Sequence, residues 1–161
     1  MDKIINNQGA DVQVDPKVAQ YVKEAIEIAY DDKHGYSQVN RWGNPDFDCS
    51  SLVITVVNNS GIPVKKNGAG YTGNMYDAFI KSGFKDVTST VNLATGDGLI
   101  IGDILLTPSK HTEIYIGHGK RVGAHASETG GKTGKQGDQT GNEISIRKYF
   151  NLPWKHVLRY S

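Results

Sequence analysis

The sequence predicts an α+β domain in which helices come first and an antiparallel sheet follows. Up to about residue 83, apolar residues recur at three- and four-residue steps, which is typical of helices. From Phe84 onward, short apolar runs are separated by Gly, Pro, Asn and Asp, which is typical of an antiparallel meander. A chain of 161 residues with 37% hydrophobic content can bury a core without disulfides. We therefore expect one domain over residues 15–161, preceded by a polar, flexible arm at residues 1–14.

Composition and charge exclude several function classes. The formal net charge is +1, and neither a basic run nor a basic amphipathic helix is present. This balance argues against nucleic acid or an anionic membrane as a partner. No apolar stretch is long enough to span a bilayer, and Met1 to Asp15 lacks the basic and apolar regions of a signal peptide.

Two helices are predicted from capping residues and periodicity. The first begins at Asp15-Pro16, a cap followed by proline at the first helical position, and should end near Tyr30. The second of this pair begins at about Thr72 and ends at Gly83. Their expected buried residues are Val18, Val22, Ala25, Ile26 and Ala29 in the former, and Met75, Tyr76, Phe79 and Ile80 in the latter. Between the predicted helices, the turn at residues 31–36 has two acids and a histidine, but it lacks the alternating ligands of an EF-hand and is expected to be a solvated turn.

The only cysteine, Cys49, lies where polar turn residues give way to apolar ones. Asp48 and Ser50 are good capping residues, and Leu52, Val53, Val56 and Val57 follow at helical spacing. Cys49 is therefore expected in the first turn of a helix, where free N–H groups and the helix dipole favour a thiolate. Two other interpretations stay open: the β-branched run after Cys49 also suits a strand, and a single cysteine is often a packing residue.

The predicted strands bring titratable groups together. The runs are Leu99–Leu106, His111–Ile116, Arg121–Ser127, Glu143–Tyr149 and His156–Tyr160. A hairpin loop at residues 117–119, with Ile116 opposite Lys120, would place His111 opposite His125 and Glu113 opposite Gly123, all on one face. The remaining histidines, His34, His118 and His156, are expected at the surface, and the Gly-rich loop Thr129–Gly141 is expected to be mobile beside a cleft.

These motifs, in this order, resemble a known family. They are Trp42-Gly43, Asp48-Cys49-Ser50-Ser51-Leu52-Val53, Gly102-Asp103-Ile104-Leu105, His111 with Ile114-Tyr115-Ile116-Gly117, and Ala124-His125-Ala126-Ser127. The combination resembles the NlpC/P60 superfamily of papain-like cell-wall hydrolases. The double serine and the ending Trp154–Tyr160 are most similar to amidase and endopeptidase domains of bacteriophage lysins. The resemblance covers residues 15–160.

The resemblance implies a peptidoglycan hydrolase that cuts an amide bond of the stem peptide. Cys49 would be the nucleophile and His111 the general base that later protonates the leaving amine. Stem-peptide endopeptidase is the expected activity, with N-acetylmuramoyl-L-alanine amidase as the alternative. The implied enzyme needs no metal or other cofactor. It would act as a monomer on bacterial peptidoglycan at the cell wall, either extracellularly or after delivery by a phage.

The residue that orients His111 is ambiguous. The family commonly supplies it twelve residues after the histidine, but that position is Gly123 here. A small residue usually lies two after the histidine, but this chain has Glu113. The orienting residue is therefore expected to be either His125 or Glu113, and we favour His125.

The resemblance also implies substrate-binding or oxyanion roles near the thiol. Tyr36 would assist the oxyanion or bind substrate, beside the backbone N–H of Cys49 and the neighbouring Ser50. Asp48 would hold the free amine of a stem peptide, or be only a helix cap. Trp42 is expected to pack beneath the cleft rather than to form a sugar platform. Two competing functions remain: a non-catalytic wall-binding module of the same fold, and another acyl-transfer enzyme on the same scaffold.

Overall fold

The computed structural model describes residues 2–5, 11–31, 41–43, 47–124 and 144–161. Its helices are α1 (Pro16–Tyr30), α2 (Cys49–Asn59) and α3 (Thr72–Lys81), with a short 3₁₀ turn at Thr88–Thr90. Its strands are β1 (Asp2–Ile5), β2 (Asp11–Val14), β3 (Phe84–Asp86), β4 (Ile104–Thr107), β5 (His111–Gly117), β6 (Lys120–Ala124), β7 (Ile144–Lys148) and β8 (His156–Tyr160). The predicted α+β class is confirmed.

The main sheet has the strand order β3-β8-β4-β5-β6-β7, and every neighbouring pair is antiparallel. Strands β4 to β7 form the predicted meander. The last strand, β8, returns to the other side of β4, and the short β3 continues the sheet beyond it. Neither β3 nor this return was predicted from the sequence.

The N-terminal segment differs from the expected loose arm. Strands β1 and β2 pair antiparallel, from Asp2 opposite Val14 to Ile5 opposite Asp11, as a separate two-stranded sheet. Its backbone groups therefore have partners that the polar composition did not reveal. Val14 is buried at the edge of the core, directly before α1.

The predicted strand Leu99–Leu106 is wrong in its first half. The strand begins only at Ile104, because residues 99–103 form a turn in which Gly102 has φ +94°. A Cβ at Gly102 would lie 2.2 Å from Cγ1 of Val18. Glycine is therefore required here both for its backbone conformation and for the close approach of α1.

The helix boundaries follow the predicted caps. Asp15 accepts a hydrogen bond from the N–H of Lys17 at 2.8 Å, and α1 ends at Tyr30 as expected. The predicted stripe of α3 is wrong at Ile80, which is 38% exposed, while Ala78 is buried instead. No helix in the described parts of the chain is long and apolar enough to cross a membrane.

The sheet is buried on both faces, because alternate residues of each strand join different apolar clusters. The larger cluster contains buried apolar residues from all three helices together with Ile104, Leu106, Ile114, Val122 and Leu158. The smaller cluster lies on the other face and contains Leu99, Leu105, Tyr115, Trp154 and Val157. Strand β5 contributes to both clusters, so it is a rigid support for its first residue, His111.

The Gly-Asp motif is explained by a buried ion pair. Asp103 is fully buried, and Arg159 donates to both its carboxylate oxygens at 2.8 and 2.7 Å. The N–H of Ile100 donates to the same carboxylate at 2.8 Å. This contact ties β8 to the turn before β4. Burial raises the pKa of Asp103, although the bonds from Arg159 and Ile100 act in the opposite direction.

We expect Asp103→Asn to lower the free energy of unfolding by about 2–3 kcal/mol, because it leaves the partly buried guanidinium of Arg159 without a counter-charge. Urea unfolding at neutral pH measures the effect. Asp77→Asn is the matched control, since Asp77 is exposed on α3, and should change stability by less than about 0.5 kcal/mol. Equal unfolding midpoints for the two variants would contradict a stabilising role for this pair.

Candidate active site

Cys49 is the first residue of α2, as the sequence predicted. The carboxylate of Asp48 accepts from the N–H of Ser51 at 2.8 Å, and the Ser51 hydroxyl accepts from the N–H of Asp48 at 2.9 Å. This reciprocal capping box fixes the helix start. The strand interpretation of the β-branched run is therefore wrong. Cys49 is a free thiol, 9% exposed, at the positive end of the helix dipole.

His111 is the first residue of β5, and its ring contacts both Cys49 and Glu113. Its Nε2 lies 2.9 Å from Oε2 of Glu113, two residues further along the same strand face. The side chains of His111 and Cys49 are also hydrogen-bonded. Because Nε2 faces Glu113, Nδ1 is the ring nitrogen that can meet the thiol.

The charge state of His111 follows from these contacts. Burial alone would lower the pKa of His111, but hydrogen bonds to Cys49 and Glu113 and the charges of both groups raise it to about 9. At neutral pH an imidazolium therefore lies next to a thiol at a helix N-terminus. The arrangement can supply a nucleophile and a proton donor at the same place.

The predicted register between β5 and β6 is confirmed in the strands and wrong at the loop. Ile114 pairs with Val122 and Tyr115 with Arg121, as expected. Lys120, however, pairs with Gly117 instead of Ile116, because a bulge interrupts the ladder. The turn is consequently His118-Gly119, and both residues have positive φ, at 54° and 69°. Positive φ at both central positions is the requirement of a type I′ hairpin turn.

Glu113 occupies space that a side chain at position 123 would need. A Cβ built on Gly123 would lie 2.4 Å from Cγ and 2.6 Å from Oε1 of Glu113. Glu113 is fully buried, and Arg121 donates a further hydrogen bond to its Oε2. The larger side chain is therefore on β5 and the smaller residue on β6, which is the exchange that the sequence suggested.

Asp48 is engaged by several groups besides the helix N-terminus. Its Oδ1 also accepts from the hydroxyl of Ser50 at 3.1 Å, and its Oδ2 forms an ion pair with Nε of Arg41 at 2.9 Å. The Ser50 hydroxyl in turn accepts from Nη2 of Arg41 at 2.7 Å. Asp48 is thus the helix cap, and sequence reasoning missed its partner Arg41. The sequence feature that could have indicated this pair is the position of Arg41, seven residues before the capping residue Asp48.

Trp42 does not pack beneath a cleft, so that expectation is wrong. Its side chain is 46% exposed. The guanidinium of Arg41 lies 4.7 Å from its ring centroid, and Nζ of Lys65 lies 4.6 Å from it. Two cations near one indole form cation–π contacts, which can hold the ring at the surface.

Several predicted residues lie outside the described part of the chain: Tyr36, His34, His125, most of the acidic turn at 31–36, and the loop Thr129–Gly141. Of the other histidines, His118 is exposed. Nδ1 of His156 lies 3.1 Å from Oδ2 of Asp86, and the His156 ring packs on the ring of Tyr76. Within the described ranges, no group of three His, Cys, Asp or Glu residues could hold a metal ion.

A cleft of about 250 Å³ opens beside His111. Its wall includes Trp154, whose ring stacks on the imidazole with centroids 6.0 Å apart and planes inclined by 24°. Lys110 and Lys155 line the same cleft. Sequence reasoning did not place Trp154 at the site, because the residues after β7 carry no periodic signal that relates them to His111.

A model of the endolysin-like domain matches residues 43–122 and 123–161, which together make up most of the chain. The chain belongs to the endolysin-like domain family. Its fold is similar to that of Rv1477, a hypothetical invasion protein of Mycobacterium tuberculosis. The TM-score is 0.56 at 16% identity, over 98% of this chain and 70% of the other. The fold is also similar to that of a mutated form of RipA, the resuscitation-promoting-factor-interacting protein. The TM-score, the identity and the two coverages are the same as for Rv1477.

These similarities confirm the predicted NlpC/P60 fold. No curated protein matches the chain. The matched region includes Cys49, His111 and Glu113, so the contacts described above lie inside the family domain.

We expect the pKa of His111 to be near 9, as its contacts require, and to fall in Glu113→Gln, because an amide cannot stabilise the imidazolium by charge. Imidazole NMR signals followed from neutral to alkaline pH measure it. The pKa is raised on folding, so this interaction favours the folded state below the unfolded pKa and is lost as pH rises through about 9. Glu27→Gln, an exposed exchange on α1, is the control. An unchanged His111 titration in Glu113→Gln would contradict the assignment.

Proposed function

We propose that the chain is a cysteine-dependent peptidoglycan hydrolase that cuts an amide bond within the stem peptide. The observation that carries the proposal is the contact series from the Cys49 thiol through the His111 ring to the buried carboxylate of Glu113. A nucleophile, a base and an orienting acceptor in hydrogen-bond sequence is the arrangement of a catalytic triad. Membership of the endolysin-like family supports peptidoglycan as the substrate.

In the proposed reaction, the thiolate of Cys49 attacks the amide carbonyl carbon, and the carbonyl electrons move to oxygen. The backbone N–H of Cys49, at the start of α2, can donate to this oxyanion. The tetrahedral intermediate collapses, the C–N bond breaks, and the His111 imidazolium gives its proton to the leaving amine. Neutral His111 then removes a proton from water, which attacks the thioester and releases the carboxylic product and the thiolate.

Glu113 is the proposed orienting residue, in place of the initially favoured His125. Its carboxylate faces Nε2 of His111 at 2.9 Å, which holds the ring in one orientation and one tautomer. Asp48 is proposed as a helix cap that positions Cys49, because its two oxygens already meet Ser51, Ser50 and Arg41. The exposed ring of Trp42 and the cleft beside Trp154 are available to wall polymer.

We expect Cys49→Ala and His111→Ala to fold normally and to lose wall lysis by a factor of about a thousand or more, as removal of a triad member does. Turbidity clearing of purified walls measures activity, and far-UV circular dichroism checks the fold. His118→Asn is the matched histidine control, because His118 is exposed in the hairpin turn, and it should retain full activity. A folded Cys49→Ala protein that clears walls normally would favour a different nucleophile.

Mass spectrometry of the released muropeptides separates the two amidohydrolase activities. An endopeptidase leaves the lactyl–L-alanine bond intact and produces a new amine inside the stem. An N-acetylmuramoyl-L-alanine amidase instead releases stem peptides that begin with L-alanine. We expect the endopeptidase pattern; free L-alanine termini would assign the same triad to the alternative bond.

A further inference from the structure

We propose that Arg121 is a positioning residue that holds Glu113 as a carboxylate pointed at His111. This inference rests on the proposed function, because it concerns how the orienting group of that site is itself fixed. Arg121 touches neither the thiol nor the imidazole in the contacts described above. It would act on the chemistry through Glu113.

Two hydrogen bonds to Glu113 meet at one oxygen. Nη1 of Arg121 donates to Oε2 of Glu113, and this is the same oxygen that faces Nε2 of His111. Nε of Arg121 donates to the backbone carbonyl of Lys148 at 3.2 Å. The guanidinium is thus anchored on β7 by one nitrogen and presents another to Glu113. A planar, rigid fork suits this double task better than a flexible ammonium does.

Burial makes the counter-charge necessary. Glu113 is fully buried and Arg121 is only 7% exposed. An ionised carboxylate without a nearby cation is strongly disfavoured at such a position, and it would take up a proton instead. His111 cannot be the only counter-charge, because it gives up its proton during the proposed reaction. A guanidinium does not give up its proton in a protein, so Arg121 provides Glu113 with a counter-charge that does not change when His111 changes state.

The sheet geometry makes positions 113, 121 and 123 interdependent. Arg121 pairs directly with Tyr115, so its side chain lies on the same face as that of Glu113, one step along the ladder. Gly123 lies at the other side of Glu113 and leaves room for its side chain. Glu113 therefore has the Arg121 cation on one side and, on the other, the space that Gly123 leaves free.

The titratable groups around this cluster in the described ranges include Tyr115, which pairs directly with Arg121, and Lys110 and Lys155, which line the cleft beside His111. Cys49 faces His111 from α2, and Tyr149, directly after β7, is close enough to Arg121 for the cation to act on its ionisation. Burial raises the pKa of Tyr149 to about 12, although the charge of Arg121 acts in the opposite direction. Tyr149 therefore stays neutral across the pH range of the test below.

The competing explanation is that Arg121 only joins β6 to β7 through the Lys148 carbonyl. Arg121→Gln separates the two roles, because glutamine can still donate a hydrogen bond but carries no charge. The readouts are kcat, KM and their pH dependence on soluble muropeptides, together with the NMR titration of His111. Arg147→Gln is the matched control: it removes the same charge from the position directly opposite on β7, where the side chain is exposed.

We expect Arg121→Gln to lower kcat at least about tenfold with KM little changed, as for loss of an interaction that acts on the chemical step. The basic limb of its pH profile should move to lower pH, as in Glu113→Gln, because an uncharged Glu113 no longer supports the imidazolium. The double variant Arg121→Gln/Glu113→Gln should be no worse than Glu113→Gln alone. Arg121→Lys should restore the position of the limb, and Arg147→Gln should match the wild type.

A pH profile of Arg121→Gln that is unmoved, or moved to higher pH, would overturn the inference, as would additive losses in the double variant. If Arg121→Gln does not fold, Arg121→Lys provides the test. Lysine retains the charge, so a pH profile of Arg121→Lys that matches the profile of Glu113→Gln would reject the proposal. If Cys49→Ala is inactive but the pH profile of Arg121→Gln is unmoved, the proposed function stands and only the inference about Arg121 is rejected. If the wild type cuts no peptidoglycan, the proposed function fails, and the His111 titration still tests the link to Arg121.

Discussion

The carboxylate of Glu113, enclosed between His111 and Arg121, is the interaction on which the rest of the site depends. It is fully buried and meets an imidazole nitrogen and a guanidinium with one oxygen. That position requires the β5–β6 register, a cation on β6 and a glycine at 123. Against the effect of burial, the hydrogen bond to Cys49 and this carboxylate together raise the pKa of His111 to about 9.

Cys49, the proposed nucleophile, is positioned independently of Glu113. The helix start is set locally by the capping box of Asp48 and Ser51, which places Cys49 at the first position of α2. Buried side chains of α2 then pack in the larger core cluster against β5 and β6. Local capping fixes the thiol on its helix, and core packing brings that helix to the strand that carries His111. Sites built from such rigid elements hold their geometry more tightly than sites on loops.

Helix starts and the faces of the strands were mostly predictable, because capping residues and side-chain alternation determine them. Asp15-Pro16 and Asp48 fixed two helix starts, and strand alternation placed Glu113 opposite Gly123, which was the available signal that Glu113 has room to turn towards His111. Long-range contacts were not predictable in the same way. The turn before β4 depends on the approach of Val18 to Gly102, and the exposed position of Trp42 depends on cations from residues 41 and 65. The pairing of β1 with β2 was missed because each strand has only four residues, too few for an apolar pattern to stand out.

The central claim is that the pair of His111 and Glu113 controls the reactivity of Cys49. The most direct measurement is the rate at which iodoacetamide alkylates Cys49 at about pH 6, where an ordinary thiol is almost entirely protonated. The account predicts that the wild type reacts at least about tenfold faster than His111→Ala, with Glu113→Gln between them. Equal rates for the three folded proteins would contradict it.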